Sequence, residues 1–293
     1  MQTTEIPENI RFLREMLRNC RLCPRVCHVD RTAGQLGACM TGMNARISSA
    51  LPHFGEEPPL VGRGGSGTIF FTGCNLGCVF CQNYDISQTD DGTDCSPDDI
   101  VTMALRLRQR GCENINFVTP THVTHVVAEV IVKARDRHLT VPMVFNCGGY
   151  ESVETLMHLD GLIDIYMPDF KYADEEAGRK YSQVSQYPAV ATAALKEMYR
   201  QVGKLQLSAQ GVALKGVLVR HLVLPHDLAQ SRKVIEIVSQ AAPGCAINIM
   251  GQYRPSYHAA SYPELLEYPS IKEIHALREF AGHCGLMRKG IEH

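Results

Sequence analysis

The sequence predicts an α/β fold built on a parallel sheet, and three observations point there. From Thr68 onward, short β-branched or aromatic runs alternate with longer helical patterns. The short runs are apolar on both faces, as strands covered on both sides are. Each run is also followed by a polar or glycine-rich interruption, where a parallel β/α fold keeps its site: at the carboxyl ends of its strands.

The strand candidates are TIFFT (68–72), NINFV (114–118), VPMVFN (141–146), LIDIYM (162–167), GVLVRHLVL (216–224) and AINIMG (246–251). Between the first two, SPDDIVTMALRLRQRG opens with Ser96 as a cap, Pro97 at the first position and two acids in the first turn. It closes at Gly111. THVTHVVAEVIVKARDRH follows with Val123, Val126, Val127, Val130 and Ile131 on a helical period. Further helices are expected over 151–159, 187–202, 228–241 and 271–283. Six strand–helix units imply right-handed crossovers. They allow either an open partial barrel or a doubly wound sheet, and periodicity does not choose between these. The glycine-rich stretch Gly62 to Gly67 reads as a tight turn into the first strand. It lacks the Lys-Ser/Thr ending of a phosphate-binding loop.

At 293 residues the chain can hold one large domain, or a domain with a small appendage. A net charge of −2 gives no global attraction to nucleic acid or an anionic membrane. No apolar run is long enough for a membrane span, and the N-terminus lacks a secretory pattern, so a cytoplasmic location is expected. In that reducing compartment, 12 cysteines are poor disulfide candidates and better metal or redox candidates. Two tight clusters precede residue 82; the remaining cysteines are dispersed, as small buried hydrophobes are.

GCNLGCVFCQNY, residues 73 to 84, places Cys74, Cys78 and Cys81 on the first rim loop. Thiolates close zinc tetrahedra or hold iron–sulfur clusters, and these spacings let one loop wrap one centre. A four-iron cluster held by three protein thiolates keeps one iron open to a ligand that is not protein. The alternatives are three buried cysteines, or a zinc site completed from elsewhere in the chain. On the other rims stand Thr119-Pro120, Asn146-Cys147-Gly148-Gly149, Asp169-Phe170-Lys171, Arg220 and Gln252-Tyr253-Arg254.

Cys-x3-Cys-x2-Cys with Phe80 just before the last cysteine, after a first strand, resembles the signature of the radical SAM superfamily. The resemblance runs over roughly residues 66 to 285. The context GSGTIFFTGCNLGCVFCQN, with the later NCGGY and PDFK segments, most resembles relatives of the pyruvate formate-lyase activating enzyme, in particular the PflX-type branch. It implies a partial (β/α)6 TIM-like barrel over 61–293, preceded by a cysteine-rich segment at 1–60. It also implies a 4Fe-4S cluster on Cys74, Cys78 and Cys81 whose open iron chelates S-adenosylmethionine. The reduced cluster would cleave that ligand to methionine and a 5′-deoxyadenosyl radical, which abstracts hydrogen from a substrate. The substrate would be the glycine of a glycyl-radical enzyme, another peptide position or a small molecule. An electron donor such as flavodoxin or ferredoxin would be a partner, with no membrane or nucleic acid involved.

By the same resemblance, the family's Asp-x-Lys contact falls on Asp169 and Lys171, and its turn after the third strand falls on Asn146. Its fifth-strand arginine falls on Arg220, and a polar sixth-strand position falls on Gln252. Arg220 stands alone among Val and Leu, which is costly without a partner. A surface ion pair is the other reading of Asp169 and Lys171. The chain departs from the family at Phe117-Val118-Thr119-Pro120, where a glycine pair is usual; Thr119 would then supply only a backbone contact.

Cys20, Cys23, Cys27 and Cys39 form a separate pattern that can close a site, with a structural zinc or a second iron–sulfur cluster both fitting. The second cluster is slightly favoured, and His28 is an alternative ligand. Arg11, Arg14 and Arg18 share a helical face that Glu8 and Glu15 interrupt, which reads as a solvated surface rather than a docking site for RNA or an acidic partner. Against the enzyme reading stands a non-catalytic iron–sulfur or zinc module for electron transfer or binding.

Overall fold

The computed structural model describes residues 7–287 and 290–291. Residues 1–6, the start of the N-terminal stretch MQTTEIPENIRFLREML that lacks a secretory pattern, lie outside the described residues. The chain begins with α1 (Glu8–Glu15), β1 (Ala45–His53), α2 (Pro58–Val61), β2 (Ser66–Phe71), α3 (Tyr84–Ser87), β3 (Thr93–Cys95) and α4 (Pro97–Gln109). It continues through β4 (Ile115–Val118), α5 (Thr124–Asp136), β5 (Met143–Cys147), α6 (Val153–Met157), β6 (Ile165–Pro168), α7 (Glu175–Ser182) and α8 (Tyr187–Val202). The last elements are β7 (Gln206–Leu207), β8 (Ala213–Leu222), α9 (Ser231–Ala241), β9 (Ala246–Met250) and α10 (Ile271–His283).

The six expected strands are β2, β4, β5, β6, β8 and β9, and they pair in parallel in that sequential order. This order settles the question that periodicity left open. A doubly wound sheet reverses its strand order at a switch point, and this sheet does not. The fold is a partial barrel with an unclosed sheet. The edge strands were not foreseen: β1 pairs antiparallel with β2, and β3 pairs antiparallel with β1. Residues 45–53, inside the cysteine-rich segment, therefore extend the main sheet. A short antiparallel β7 also joins β8.

Local chemistry sets the boundaries. Ser96 accepts a hydrogen bond from Asp99 N at 3.2 Å while the Asp99 carboxylate accepts from Ser96 N at 2.9 Å. This reciprocal cap contributes about 1 kcal/mol to starting α4. α8 spans Tyr187–Val202 and α10 spans Ile271–His283, matching their predicted limits. In the glycine-rich turn, Glu113 Oε1 accepts from Arg63 N and Gly64 N at 3.0 and 3.2 Å. Those amides are already satisfied by a carboxylate, in keeping with the absence of a phosphate motif.

Side chains alternate faces along a strand, so one parity lines the concave interior. Val144, Ile165, Met167, Leu218 and Ala246 pack there with Leu60 of α2. The same parity carries Asn146, Asp169, Arg220 and Asn248 farther along. The outer faces pack under the helices in a larger core that includes Phe117, Val127, Ile131 and Phe145. On α1, Ile10 and Leu13 are buried, and Arg14 pairs with Glu129 of α5. The arginine face is thus partly a docking face within the chain. Among the described residues, no helix is long and apolar enough to cross a membrane.

Candidate functional site

The three-cysteine loop leaves β2 through Gly73, whose φ of +88° is the left-handed region. A Cβ there would sit 2.7 Å from the Cys39 carbonyl oxygen, so glycine permits both the turn and the close approach of the appendage. The loop is then tied to α7: Gly77 N donates to Ser182 O at 3.0 Å and Val79 N to Tyr181 O at 2.9 Å. Leu76 N donates to Cys74 Sγ at 3.3 Å, Cys78 Sγ meets Ser182 Oγ at 3.0 Å and Cys81 Sγ meets Ser87 Oγ at 3.1 Å.

These cysteines line one cavity of about 190 Å³ with Phe80, Val118, Thr119, Asn146, Asp169, Lys171 and Arg220. Every barrel residue expected at the site is there except Gln252. That side chain is exposed and outside the lining; only its backbone oxygen takes part, accepting from Gln82 Nε2 at 3.2 Å. The polar side chain expected on the sixth strand is therefore not part of the cavity wall. Phe80 is buried and meets Tyr253 edge-on at 5.9 Å.

Thr119 has a φ of +59°, a conformation that a β-branched residue rarely adopts. Its N–H donates to Asn146 O at 2.9 Å. The family's glycine is absent, but the backbone shape a glycine would permit is present, held by the neighbouring strand.

Asp169 sits between two cations. Lys171 Nζ lies 2.7 Å from Asp169 Oδ2, and Arg220 Nε donates to Asp169 Oδ1 at 2.9 Å. Arg220 Nη2 also donates to Asn146 Oδ1 at 2.7 Å. Burial alone would push the Asp169 carboxyl up, but Arg220 and then Lys171 hold it below its ordinary value. Burial opposes the charge on Lys171, yet Asp169 and Cys78 raise its affinity for a proton overall. The reading of this pair as exposed surface charge is corrected: both side chains are 19% exposed. Tyr187 locks the backbone beneath them, donating to Gly148 O and accepting from Lys171 N, both at 2.9 Å.

Glu56 and Glu57 were missed by sequence reasoning. They approach Arg220 to 3.7 and 4.0 Å and are almost fully buried. Adjacent acids before two prolines look like a solvated loop. The signal that could have found them is Arg220 itself, a strand cation in need of partners.

The four upstream cysteines also converge: Cys20, Cys23, Cys27 and Cys39 line one small cavity of about 10 Å³ with Arg31 and Asn75. His28 is not among its lining residues and instead bonds Asn19 at 2.9 Å. The two cysteine groups are back to back. Arg25 Nε donates to Asn75 O at 2.7 Å, and the residues flanking Asn75 line the larger cavity. Arg31 is buried and donates to His122 O at 2.8 Å, while His122 Nε2 bonds Thr72 O at 2.9 Å.

Among the described residues, no three metal-ligating side chains are already gathered around a single point. The donor chemistry of the larger cavity nonetheless fits a three-thiolate cluster. All three donors are sulfur, one receives a backbone N–H, and the charged side chains present pair with one another. Burial first, and the neighbouring cysteines after it, push the Cys74 thiol up. Binding a metal there must therefore expel protons.

The radical SAM superfamily domain matches residues 68–260. The chain is 31% identical over 279 residues to the uncharacterized protein MJ0674 of Methanocaldococcus jannaschii, covering 93% of this chain and 77% of that one. Solved structures that resemble it include the radical S-adenosylmethionine methyltransferase TsrM from Kitasatospora setae, at 12% identity and a TM-score of 0.46. That match covers 70% of this chain and 40% of TsrM. HydG, a maturase of FeFe-hydrogenase, gives 12% and 0.47 over 72% of this chain and 47% of its own. Methylornithine synthase (PylB) gives 14% and 0.42 over 75% and 70%. The chain spans less than half the length of TsrM and of HydG. By its domain match and its relative, the chain belongs to the radical SAM superfamily.

Proposed function

We propose that this protein is a radical SAM enzyme of the activating-enzyme type, acting on a peptide or protein in the manner of a glycyl-radical activase. One observation carries the cofactor part of the reading: the three-cysteine loop shares a single cavity with Asn146, Asp169, Lys171 and Arg220. When bound, the cluster and S-adenosylmethionine supply an electron and a 5′-deoxyadenosyl radical. Cys74, Cys78 and Cys81 would hold the cluster. Asp169 and Lys171 offer opposite charges two residues apart to a zwitterionic ligand, and charge-assisted contacts of this kind are the strong ones. Arg220 would face the ligand carboxylate, and Asn146 and the Thr119 backbone would position the rest. The substrate class rests on the resemblance of NCGGY and PDFK to the activating enzymes, together with a cavity open at a strand rim.

The four-cysteine group is proposed as a second metal site, with an iron–sulfur cluster favoured over zinc because it backs onto the cluster loop through Arg25 and Asn75. A flavodoxin- or ferredoxin-type donor in the cytoplasm would supply electrons. The test is electron paramagnetic resonance of the anaerobically reconstituted, reduced protein. Adding S-adenosylmethionine should shift the signal of the cluster on Cys74, Cys78 and Cys81. A spectrum unchanged by saturating ligand contradicts the reading. An anaerobic pull-down then tests for a macromolecular substrate.

A further inference from the structure

Beside the four upstream cysteines stands a buried cation. Arg31 is 1% exposed and is the largest of the fully buried side chains among the described residues. Its Nη1 donates to His122 O at 2.8 Å and lies 3.9 Å from Cys20 Sγ. Its Nε donates to Gly42 O at 2.9 Å, and Nη2 reaches the same oxygen. Both oxygens it meets are main-chain carbonyls, one in the appendage and one on the barrel rim. Among the described residues, no carboxylate pairs with it. The adjacent acid, Asp30, caps its own turn instead, accepting from Thr32 N and Ala33 N at 2.9 and 3.2 Å. Glu151 shares a cavity wall with Cys23, but it accepts from Thr121 Oγ1 at 2.7 Å. The imidazoles of His122 and His125 are pushed down to about 4 and about 3, by burial first and then by Arg31, and so stay neutral.

Burying a cation without a counter-charge is costly. The cavity that Arg31 lines with Cys20, Cys23, Cys27 and Cys39 offers one. A divalent metal on four thiolates keeps two net negative charges, and an oxidised four-iron cluster on four thiolates keeps the same. Arg25 lines this cavity too and donates to Asn75 O at 2.7 Å, again with no carboxylate partner among the described residues. The two arginines in the wall thus match the charge of a loaded site.

We propose that Arg31 is the counter-cation of a metal–thiolate centre on Cys20, Cys23, Cys27 and Cys39, and that its charge, more than its hydrogen bonds, retains the metal. This rests on the four cysteines being a metal site.

Zinc serves as the probe, because its tetrathiolate carries that charge whichever metal is native. Competition with a chromophoric chelator measures its affinity for the full chain carrying Cys74→Ala, Cys78→Ala and Cys81→Ala. That parent keeps the upstream site, and a further Cys20→Ser, Cys23→Ser pair provides the blank. Adding Arg31→Met, which keeps length and removes charge, should weaken zinc binding by at least about tenfold. Arg31→Lys keeps the charge without the planar fork and should recover most of that loss. Arg31→Gln replaces the methionine variant if that one does not fold. Unchanged affinity without the charge, or an equal loss with lysine, overturns the proposal and leaves the second site standing. No zinc bound by the parent above the blank overturns the second site and the proposal with it.

Discussion

Asp169 Oδ1 accepts from Arg220 Nε at 2.9 Å while Asp169 Oδ2 lies 2.7 Å from Lys171 Nζ, so one carboxylate holds two half-buried cations in place. Replacing it with an isosteric amide removes the close counter-charge that Lys171 and Arg220 share, leaving Arg220 the longer approaches of Glu56 and Glu57 at 3.7 and 4.0 Å. Asp169→Asn should weaken S-adenosylmethionine binding by at least about tenfold and destabilise the protein by about 3 kcal/mol, as breaking a buried pair does. Dialysis and denaturant titration measure the two effects. The pH sign follows from the depressed carboxyl. Its contribution is present in full above the ordinary value of about 4 and is lost as pH falls through the lower folded value.

Glu151 makes the opposite case. It is buried against Thr121 Oγ1 at 2.7 Å, and burial first pushes its carboxyl up to about 7 despite hydrogen bonds from Thr121 and Cys147. A folded value raised above the unfolded one destabilises the protein as pH rises through that window. Glu151→Gln should therefore stabilise the protein by about 2 kcal/mol near pH 8 and change little near pH 5, where the carboxyl is already neutral. Thermal melts at the two pH values decide it; an equal effect at both contradicts the assignment.

Thr119 carries backbone strain, with a φ of +59°. A non-glycine residue held there costs about 1–2 kcal/mol, partly offset by the greater unfolded freedom of glycine. Thr119→Gly should be neutral or stabilising by up to about 1 kcal/mol and should retain ligand binding, since only the backbone is used. A large loss of affinity would show that the threonine side chain takes part.

Cys20 and Cys23 line the smaller cavity, and burial pushes the Cys23 thiol up to about 12. The triple variant Cys74→Ala, Cys78→Ala, Cys81→Ala should keep a metal that a further Cys20→Ser, Cys23→Ser pair removes. Elemental analysis reads this, and it also separates zinc from iron. Complete loss of metal in the triple variant contradicts a second site.

Much of the fold was legible because helix-covered parallel strands are apolar on both faces and end in polar residues. Ser96 with Asp99, and the limits of α8 and α10, were readable from local chemistry alone. β1 was not: ARISSALPH mixes small and polar residues, as an antiparallel edge strand does, and lacks the apolar signature of its neighbours. At the site, Asn146, Asp169, Lys171 and Arg220 stood out as polar residues at strand ends. Gln252 occupied the equivalent place in sequence, but its side chain is exposed and outside the cavity lining. Glu56 and Glu57 reach the interior from a loop distant in sequence, a placement that spacing does not encode. The strand order, which decides between a barrel and a doubly wound sheet, likewise depends on long-range pairing.

The most direct test of the central claim is nucleoside analysis of the anaerobically reconstituted, dithionite-reduced protein incubated with S-adenosylmethionine. 5′-Deoxyadenosine should form with wild type and be abolished when Cys74, Cys78 and Cys81 are changed to alanine. No 5′-deoxyadenosine above background from wild type carrying its cluster, or undiminished formation by the triple variant, would contradict the account.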